Sequence, residues 1–421
     1  MSIRKAAFLL FVPILLLPSA GLPFGKNKVV RDSFEWNVLH SVHFDVHYPA
    51  GMDNLGLSAM RVSEEAYRHA AVAMRHEMST VIPVTVFPSS VSFQENRVID
   101  SIMGDGVGGF TEFFKGRIVV PFSADPDQFR HVLSHEIIHA FEYDLLFSGK
   151  SFPMLGLAFS GVPLWVMEGM AEYLSSGYER SCDEVMRDLI VNEKYATLDE
   201  LTRGYVRSMY MFYKEGQAFF HFLDTVYGKD AIPDFLFYLS TGRSCFDALQ
   251  AVTKKEPKDL DREWVHFLKQ RYYPEVKGKS FDEDTGVLYT RHGEDDSNFN
   301  TAPAVSPDGK KIAFLTDRGL YLSVSVLDCA KKKERTVRTI VTGENRAAFE
   351  SLRILSNNIS WSRDGKSLCF AAVSFGRQTV YIVGSDDGSI QERIVLPFDE
   401  LFAPVISPDG KSVAFAASIG T

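Results

Sequence analysis

The chain has 421 residues, 45% of them hydrophobic, with 54 acidic against 45 basic side chains and a formal net charge of −9. That balance, with no concentrated basic stripe, excludes a nucleic-acid-binding protein, and the apolar content is enough to fill a core in each of two domains. Four cysteines, Cys182, Cys245, Cys329 and Cys369, are too sparse for a disulfide framework, although Cys182 with Cys245, or Cys329 with Cys369, stay open as pairs in an oxidising compartment.

In chain order, Arg4 and Lys5 precede an apolar run from Ala6 to Leu17, followed by Pro18-Ser19-Ala20-Gly21. The run is too short to span a bilayer comfortably and predicts a signal peptide over residues 1–21, cleaved after Ala20 or Gly21. The protein is then exported, to the periplasm, the cell envelope or the exterior, and no other stretch reaches membrane length. Val38 to Tyr48 alternates and predicts one half-exposed strand, with His43, Asp45 and His47 on one face and Val42, Phe44 and Val46 on the other. A helix from about Leu55 to Met78 and strands over Val81 to Phe87 and Arg117 to Phe122 follow. The glycine-rich run Gly104 to Glu112 lacks the lysine of a phosphate loop and reads as the first arm of a hairpin.

The chemistry begins with His135-Glu136-Ile137-Ile138-His139. Asp125 and Pro126 are an N-cap and first-turn proline, and Phe129, Val132, Leu133, Ile137, Ile138, Phe141 and Leu145 form a broad apolar face, so the motif lies in a buried helix from about Pro126 to Leu146. On that helix His135 and His139 stand on one face and can reach one Zn²⁺, with Glu136 beside the open coordination position as general base. A zinc hydrolase needs a third protein ligand, and Pro163-Leu164-Trp165-Val166-Met167-Glu168-Gly169-Met170-Ala171-Glu172-Tyr173 supplies one in Glu168. Glu172, one turn on, is placed to hold the non-ligating nitrogen of a zinc-bound histidine. His131, one turn before His135, reads as a polar residue near the helix start, since a fourth protein ligand would close the site. Helices over Gln217 to Tyr227 and Leu260 to Tyr272 complete an α+β metallopeptidase domain over residues 29–275.

An acidic, glycine-containing linker over 276–300 leads to a repeat: Ser306-Pro307-Asp308-Gly309-Lys310, Ser362-Arg363-Asp364-Gly365-Lys366 and Ser407-Pro408-Asp409-Gly410-Lys411, each before an apolar strand. Asp-Gly suits tight hairpin turns with positive φ, and recurrence at this spacing is propeller-like. The all-β segment 301–421 therefore holds about three repeats, the last incomplete. Because a propeller needs roughly four or more blades to close, the expectation is that further blades follow in a longer protein, the alternative being that a partner completes the sheet.

HEIIHAF followed by PLWVMEGMAEYLS resembles the gluzincin metallopeptidases, and within them is most similar to bacterial envelope proteins that join such a domain to TolB-like propeller repeats. The resemblance implies one Zn²⁺ on His135, His139 and Glu168, with Glu136 activating water for attack on a peptide bond. It implies that the strand before the motif helix is the edge on which substrate lies, a place that Val107 to Thr111 or Ile118 to Val120 fits, and Gly108, Gly109 and Phe110 are the expected substrate-binding residues. An oxyanion donor is expected among Tyr205, Tyr210 and Tyr213, and Tyr213 is the choice. Glu112 stands near the place of an aminopeptidase's amine-binding glutamate, but the local pattern departs from theirs. The interval between His139 and Glu168 is longer than in thermolysin-like enzymes and reads as a loop over Phe147 to Val162, beside the cleft. The implied partners are a peptide or protein substrate and an envelope protein bound by the propeller. The competing expectation is a catalytically inactive, peptidase-like binding module working through its repeats.

Overall fold

The structure, a computed structural model, describes residues 33–419 apart from 100–105, 114, 123–124, 149–160, 207, 281–285, 291–296, 298, 320, 330–335, 345–346 and 354–357. The signal-peptide reading, most of the predicted loop after Phe147 and much of the acidic linker lie outside the described residues.

The front of the chain forms a five-stranded sheet in the order β1 (Trp36–His40), β2 (Phe44–Pro49), β3 (Ile82–Phe87), β5 (Ile118–Pro121) and β4 (Phe110–Thr111). β2, β3 and β5 run parallel, and β4 pairs antiparallel with β5, so β4 is an outer edge. The single strand expected over Val38 to Tyr48 is instead a hairpin of β1 and β2. Its turn has no glycine or asparagine to announce it; the Ser41 amide donates to the Phe44 carbonyl at 2.9 Å, and the Ser41 hydroxyl, in place of a backbone carbonyl, accepts from the Phe44 amide at 3.1 Å. Val42 consequently sits at the turn, 80% exposed, while Phe44 and Val46 are buried completely.

The period of two decides which sheet face meets the helices. Phe44, Val46, Val84, Val86, Ile118 and Val120 share one core with α1 (Asp53–Met74) and α3 (Pro126–Phe147), whereas Phe87 and Val119 point to the opposite face, with Phe93 from α2 (Ser90–Gln94) and Phe110. The helical half continues through α4 (Leu164–Ser176), α5 (Arg180–Val191), α6 (Leu198–Arg203), α7 (Met209–Tyr227), α8 (Ala231–Ser240), α9 (Cys245–Thr253) and α10 (Pro257–Val276). α7 starts well before the expected Gln217, which places Tyr210 and Tyr213 on the helix itself. No helix among the described residues is long and apolar enough to cross a membrane. The four cysteines are all unpaired, so neither of the open pairings forms.

α4 and α7 cross at two glycines. A Cβ on Gly216 would lie 2.5 Å from the Trp165 carbonyl oxygen and 2.8 Å from the Gly169 Cα, and one on Gly169 would lie 2.4 Å from the backbone of Gly216. Backbone atoms cannot swing aside as a flexible side chain can. Alanine in a helix gains about 1 kcal/mol over glycine, but forcing the backbones apart costs about 1–3 kcal/mol and strains everything carried on the two helices. Gly216→Ala is therefore expected to lower stability despite its better helix propensity, measured as a lower denaturant midpoint; a rise would show that the two helices can part without cost.

The all-β part comprises two four-stranded antiparallel sheets, Asn300 to Thr342 and Ser360 to Val395, and a two-stranded sheet, Glu400 to Ser418, with no closed barrel among the described residues. Each repeat turn has the same internal bonding: the aspartate at 308, 364 or 409 accepts from the preceding serine hydroxyl and from the following lysine amide. Only the glycines, with φ of 71° at Gly309, Gly365 and Gly410, have positive φ. The turns are thus longer than the two-residue hairpin that positive φ at both positions would require.

Candidate metal centre

The motif helix starts where the sequence says it should. The Asp125 side chain accepts from the amides of Asp127 and Gln128, and Pro126 occupies the first turn. One face of α3 then carries His135, Glu136, His139 and Glu142, all buried. From α4, which enters beside it, a single oxygen of Glu168, Oε2, lies 3.3 Å from His135 Nε2 and 3.3 Å from His139 Nε2. A tetrahedral Zn²⁺ with bonds of 2.0–2.1 Å separates its ligand atoms by about 3.3 Å, so this donor set fits zinc in both chemistry and spacing.

Each histidine is held from behind. His139 Nδ1 lies 2.7 Å from Glu142 Oε2, and His135 Nδ1 lies 3.3 Å from Glu172 Oε1. The Glu142 bond fixes the tautomer that leaves His139 Nε2 free to ligate, whereas Glu172 stands at ion-pair distance from His135 Nδ1 without hydrogen-bond geometry. Glu142 was not foreseen, although it stands three residues after His139 and so on the same face; it was passed over inside the apolar stretch. The other oxygen of Glu172 receives the ammonium of buried Lys214 at 2.7 Å, and Lys214 also reaches Glu179 at 3.0 Å and Gln217 at 3.2 Å.

These contacts set the protonation of the metal-free site. Burial pulls His135 down, but the carboxylates of Glu168 and Glu172 outweigh it and push it up to about 9. His139 is likewise raised against burial by Glu142 and Glu168. Burial pushes Glu142 up to about 7 in spite of His139. Glu168 is held down at about 2 against burial by the two histidines, and Glu172 lies well below the usual carboxylate range because His131, His135 and Lys214 surround it. His131, His135 and Glu172 also form a cluster with ligand-like spacing. It shares His135 with the first cluster, and the Lys214 ammonium already occupies the second oxygen of its only carboxylate.

Lys214 is the permanently charged member of the group that faces buried Glu172, beside His131 and His135. Lys214→Met is expected to destabilise the fold by about 3 kcal/mol, because it removes the ammonium that binds the second Glu172 oxygen and leaves the buried carboxylate only the two histidines; the double variant Lys214→Met with Glu172→Gln should recover part of the loss, and no recovery would remove Lys214 from this role.

The centre opens into a cleft of about 660 Å³. Glu136 borders it, its Oε2 accepting from the Thr111 hydroxyl at 2.8 Å, and that hydroxyl is also 2.9 Å from the Glu136 carbonyl oxygen. Thr111 on the edge strand thus aims the carboxylate, a role invisible in sequence because it joins two elements. Gly108, Gly109 and Phe110 line the same cleft. Gly109 has a steric reason to be glycine: a Cβ there would lie 2.9 Å from Val120 and 3.1 Å from the Glu136 side chain. Tyr213 lines the cleft with its ring stacked 6.1 Å from His135, and burial with the Glu168 charge keeps its phenol protonated by raising it. Tyr210 also lines the cleft, whereas Tyr205 is 71% exposed and stands apart. Tyr143, also unforeseen, stacks on His139 from the cleft wall. Glu112 is ion-paired to Arg117 at 2.7 Å, and the half-exposed His43 is held by Glu64 at 2.8 Å and stacked on Tyr67.

No protein-family model matches the chain, and no curated protein matches it. The solved structures it resembles include both metallopeptidases and propeller proteins. An M1 zinc metallopeptidase from Deinococcus radiodurans is 17% identical over 55% of this chain and 52% of its own, with a TM-score of 0.34. An aminopeptidase N family protein from Idiomarina loihiensis is 12% identical over 90% of this chain and 69% of its own, with a TM-score of 0.35. TolB from Acinetobacter baumannii is 22% identical over 28% of this chain and 27% of its own, with a TM-score of 0.23. The chain thus spans about a quarter of that TolB and about half of the Deinococcus metallopeptidase.

Proposed function

We propose that this protein is an exported zinc-dependent peptidase, with its catalytic domain over residues 29–275, a linker over 276–300 and a partial TolB-like propeller over 301–421. The observation that carries the reading is the convergence of His135 Nε2, His139 Nε2 and Glu168 Oε2 at 3.3 Å, with Glu136 beside them in an open cleft. Three protein ligands leave a tetrahedral ion one position for water or substrate, whereas a structural zinc would take a fourth. Zn²⁺ bound there would supply Lewis acidity toward a water and a peptide carbonyl.

The chain's own residues do the rest. Glu136, aimed by Thr111, takes the proton of the attacking water and delivers it to the leaving amine. Tyr213, kept protonated, donates a hydrogen bond to the oxygen that gains charge. Glu142 and Glu172 hold His139 and His135 in register. The edge at Gly108, Gly109 and Phe110 pairs with an extended peptide, because among the described residues β4 has no strand on its outer side. Export rests on the segment from Arg4 to Gly21, and an envelope location with it.

Elemental analysis of protein purified without chelators is expected to give about one zinc per chain, with little in His139→Ala. Peptide hydrolysis that a chelator abolishes and zinc restores completes the test. A folded parent without zinc would end this reading in favour of an inactive binding module acting through the repeats.

A further inference from the structure

The cleft does not end at the domain that builds it. A second cavity, of about 140 Å³, lies between that domain and the all-β part, and Gly106, Val107, Gly108, Gln128 and Val132 line both. Its lining is mixed, with Val107, Phe129 and Val132 on one side, Val373 and Phe402 on the other, and the polar side chains of Ser90, Gln94 and Gln128 beside them. Arg353, the only charged residue among its described lining, is ion-paired with the fully buried Glu400, whose other oxygen accepts from the Ser90 amide at 3.0 Å. That bond fixes the all-β wall against the catalytic side, and the ion pair leaves the pocket neutral.

We propose that this pocket receives an apolar side chain of the peptide substrate, about three to four residues beyond the scissile bond on the leaving-group side, so that the all-β part selects what is cut. The inference rests on the peptidase reading above and adds a specificity site to it. Thr111 sits at Glu136, while Gly106 and Val107 border the cavity beside Gln128 and Phe129, about two helical turns earlier on α3. Two turns are about 11 Å, and an extended peptide covers that in three to four residues at about 3.3 Å each. Antiparallel pairing, slightly more stable per residue than parallel, runs a substrate from Thr111 toward Gly106 and so brings its C-terminal portion to the cavity. A volume of about 140 Å³ is enough for a benzene-sized group, and Val107, Phe129, Val132, Val373 and Phe402 favour the end of Leu, Met or Phe in it. At the other end of the edge strand the Glu112 carboxylate is already paired with Arg117, which favours an internal segment of a chain in the groove over a free amino terminus.

The test uses the full, zinc-loaded chain and a peptide library with randomised positions on both sides of the cleaved bond, with products sequenced by mass spectrometry. Leu, Met and Phe are expected to be enriched about tenfold at the third or fourth residue after the cut. In Phe402→Arg the enrichment should pass to Asp and Glu at the same position, and in Phe402→Ala to larger aromatic residues, with zinc content and melting temperature confirming that both variants fold. Cleavage without enrichment at that position, or enrichment unchanged in Phe402→Arg, overturns the specificity site and leaves the peptidase standing. No cleavage of any library peptide by the zinc-loaded parent overturns both.

Discussion

Glu136→Gln is expected to lower kcat/KM for peptide hydrolysis by a factor of about 10³, the middle of the range for general acid and base groups, while zinc content stays at the parental level. The amide keeps the shape of the carboxylate and can still accept from the Thr111 hydroxyl, which lies 2.8 Å from Glu136 Oε2. It cannot take a proton. Glu136 is not among the atoms that converge as ligands, so the metal set of His135, His139 and Glu168 survives the change. Thr111→Val separates aim from proton transfer. It leaves the carboxylate but removes the hydroxyl, so activity should fall by a smaller factor, about tenfold, mainly in kcat. A Glu136→Gln protein with parental, chelator-sensitive activity would remove Glu136 as the base and with it the mechanism. Loss of zinc together with activity would instead show that Glu136 holds the metal.

What was legible in the sequence was whatever is local. His135 and His139 share a face because a helix turns every 3.6 residues, and the N-cap at Asp125 and the proline after it fix where that helix begins. Glu168 could be chosen because zinc chemistry demands a third ligand and its helix has a readable start. The residues that were missed work across elements. Thr111 meets Glu136 from a strand, and Lys214 meets Glu172 from α7. Nothing in the local pattern of α7 distinguishes a lysine buried against two carboxylates from a solvated one. The hairpin at Ser41 was missed for the opposite reason: its turn is closed by the amide and hydroxyl of one serine, without a glycine or asparagine. The bond from Glu400 to the Ser90 amide joins residues too far apart in the chain for any pattern to relate them.

Raising the pH should strengthen zinc binding and weaken the metal-free protein over the same interval. In the metal-free fold His135 titrates at about 9 rather than its ordinary 6.5, so the folded state holds that proton more tightly than the unfolded state. Its contribution to stability is fully present below pH 6.5 and is lost as the pH rises through 9. Glu168, held at about 2, behaves oppositely: its contribution is present above its ordinary 4.5 and is lost as the pH falls toward 2. Between pH 6.5 and 9 His135 loses its proton, and Glu142, pushed up to about 7, loses its own with the same sign, so the melting temperature of chelated protein should decline. Zinc must displace the proton on His135 Nε2, so each pH unit in that interval should raise the apparent affinity by about tenfold for this proton alone. His139, also raised, steepens the slope. The zinc-induced gain in melting temperature should therefore grow from pH 6.5 to 9, and proton release on zinc addition should be directly measurable in weakly buffered solution. A zinc affinity that stays flat across this interval would mean that the histidines are already neutral in the metal-free protein, and that Glu168 and Glu172 do not hold protons on them.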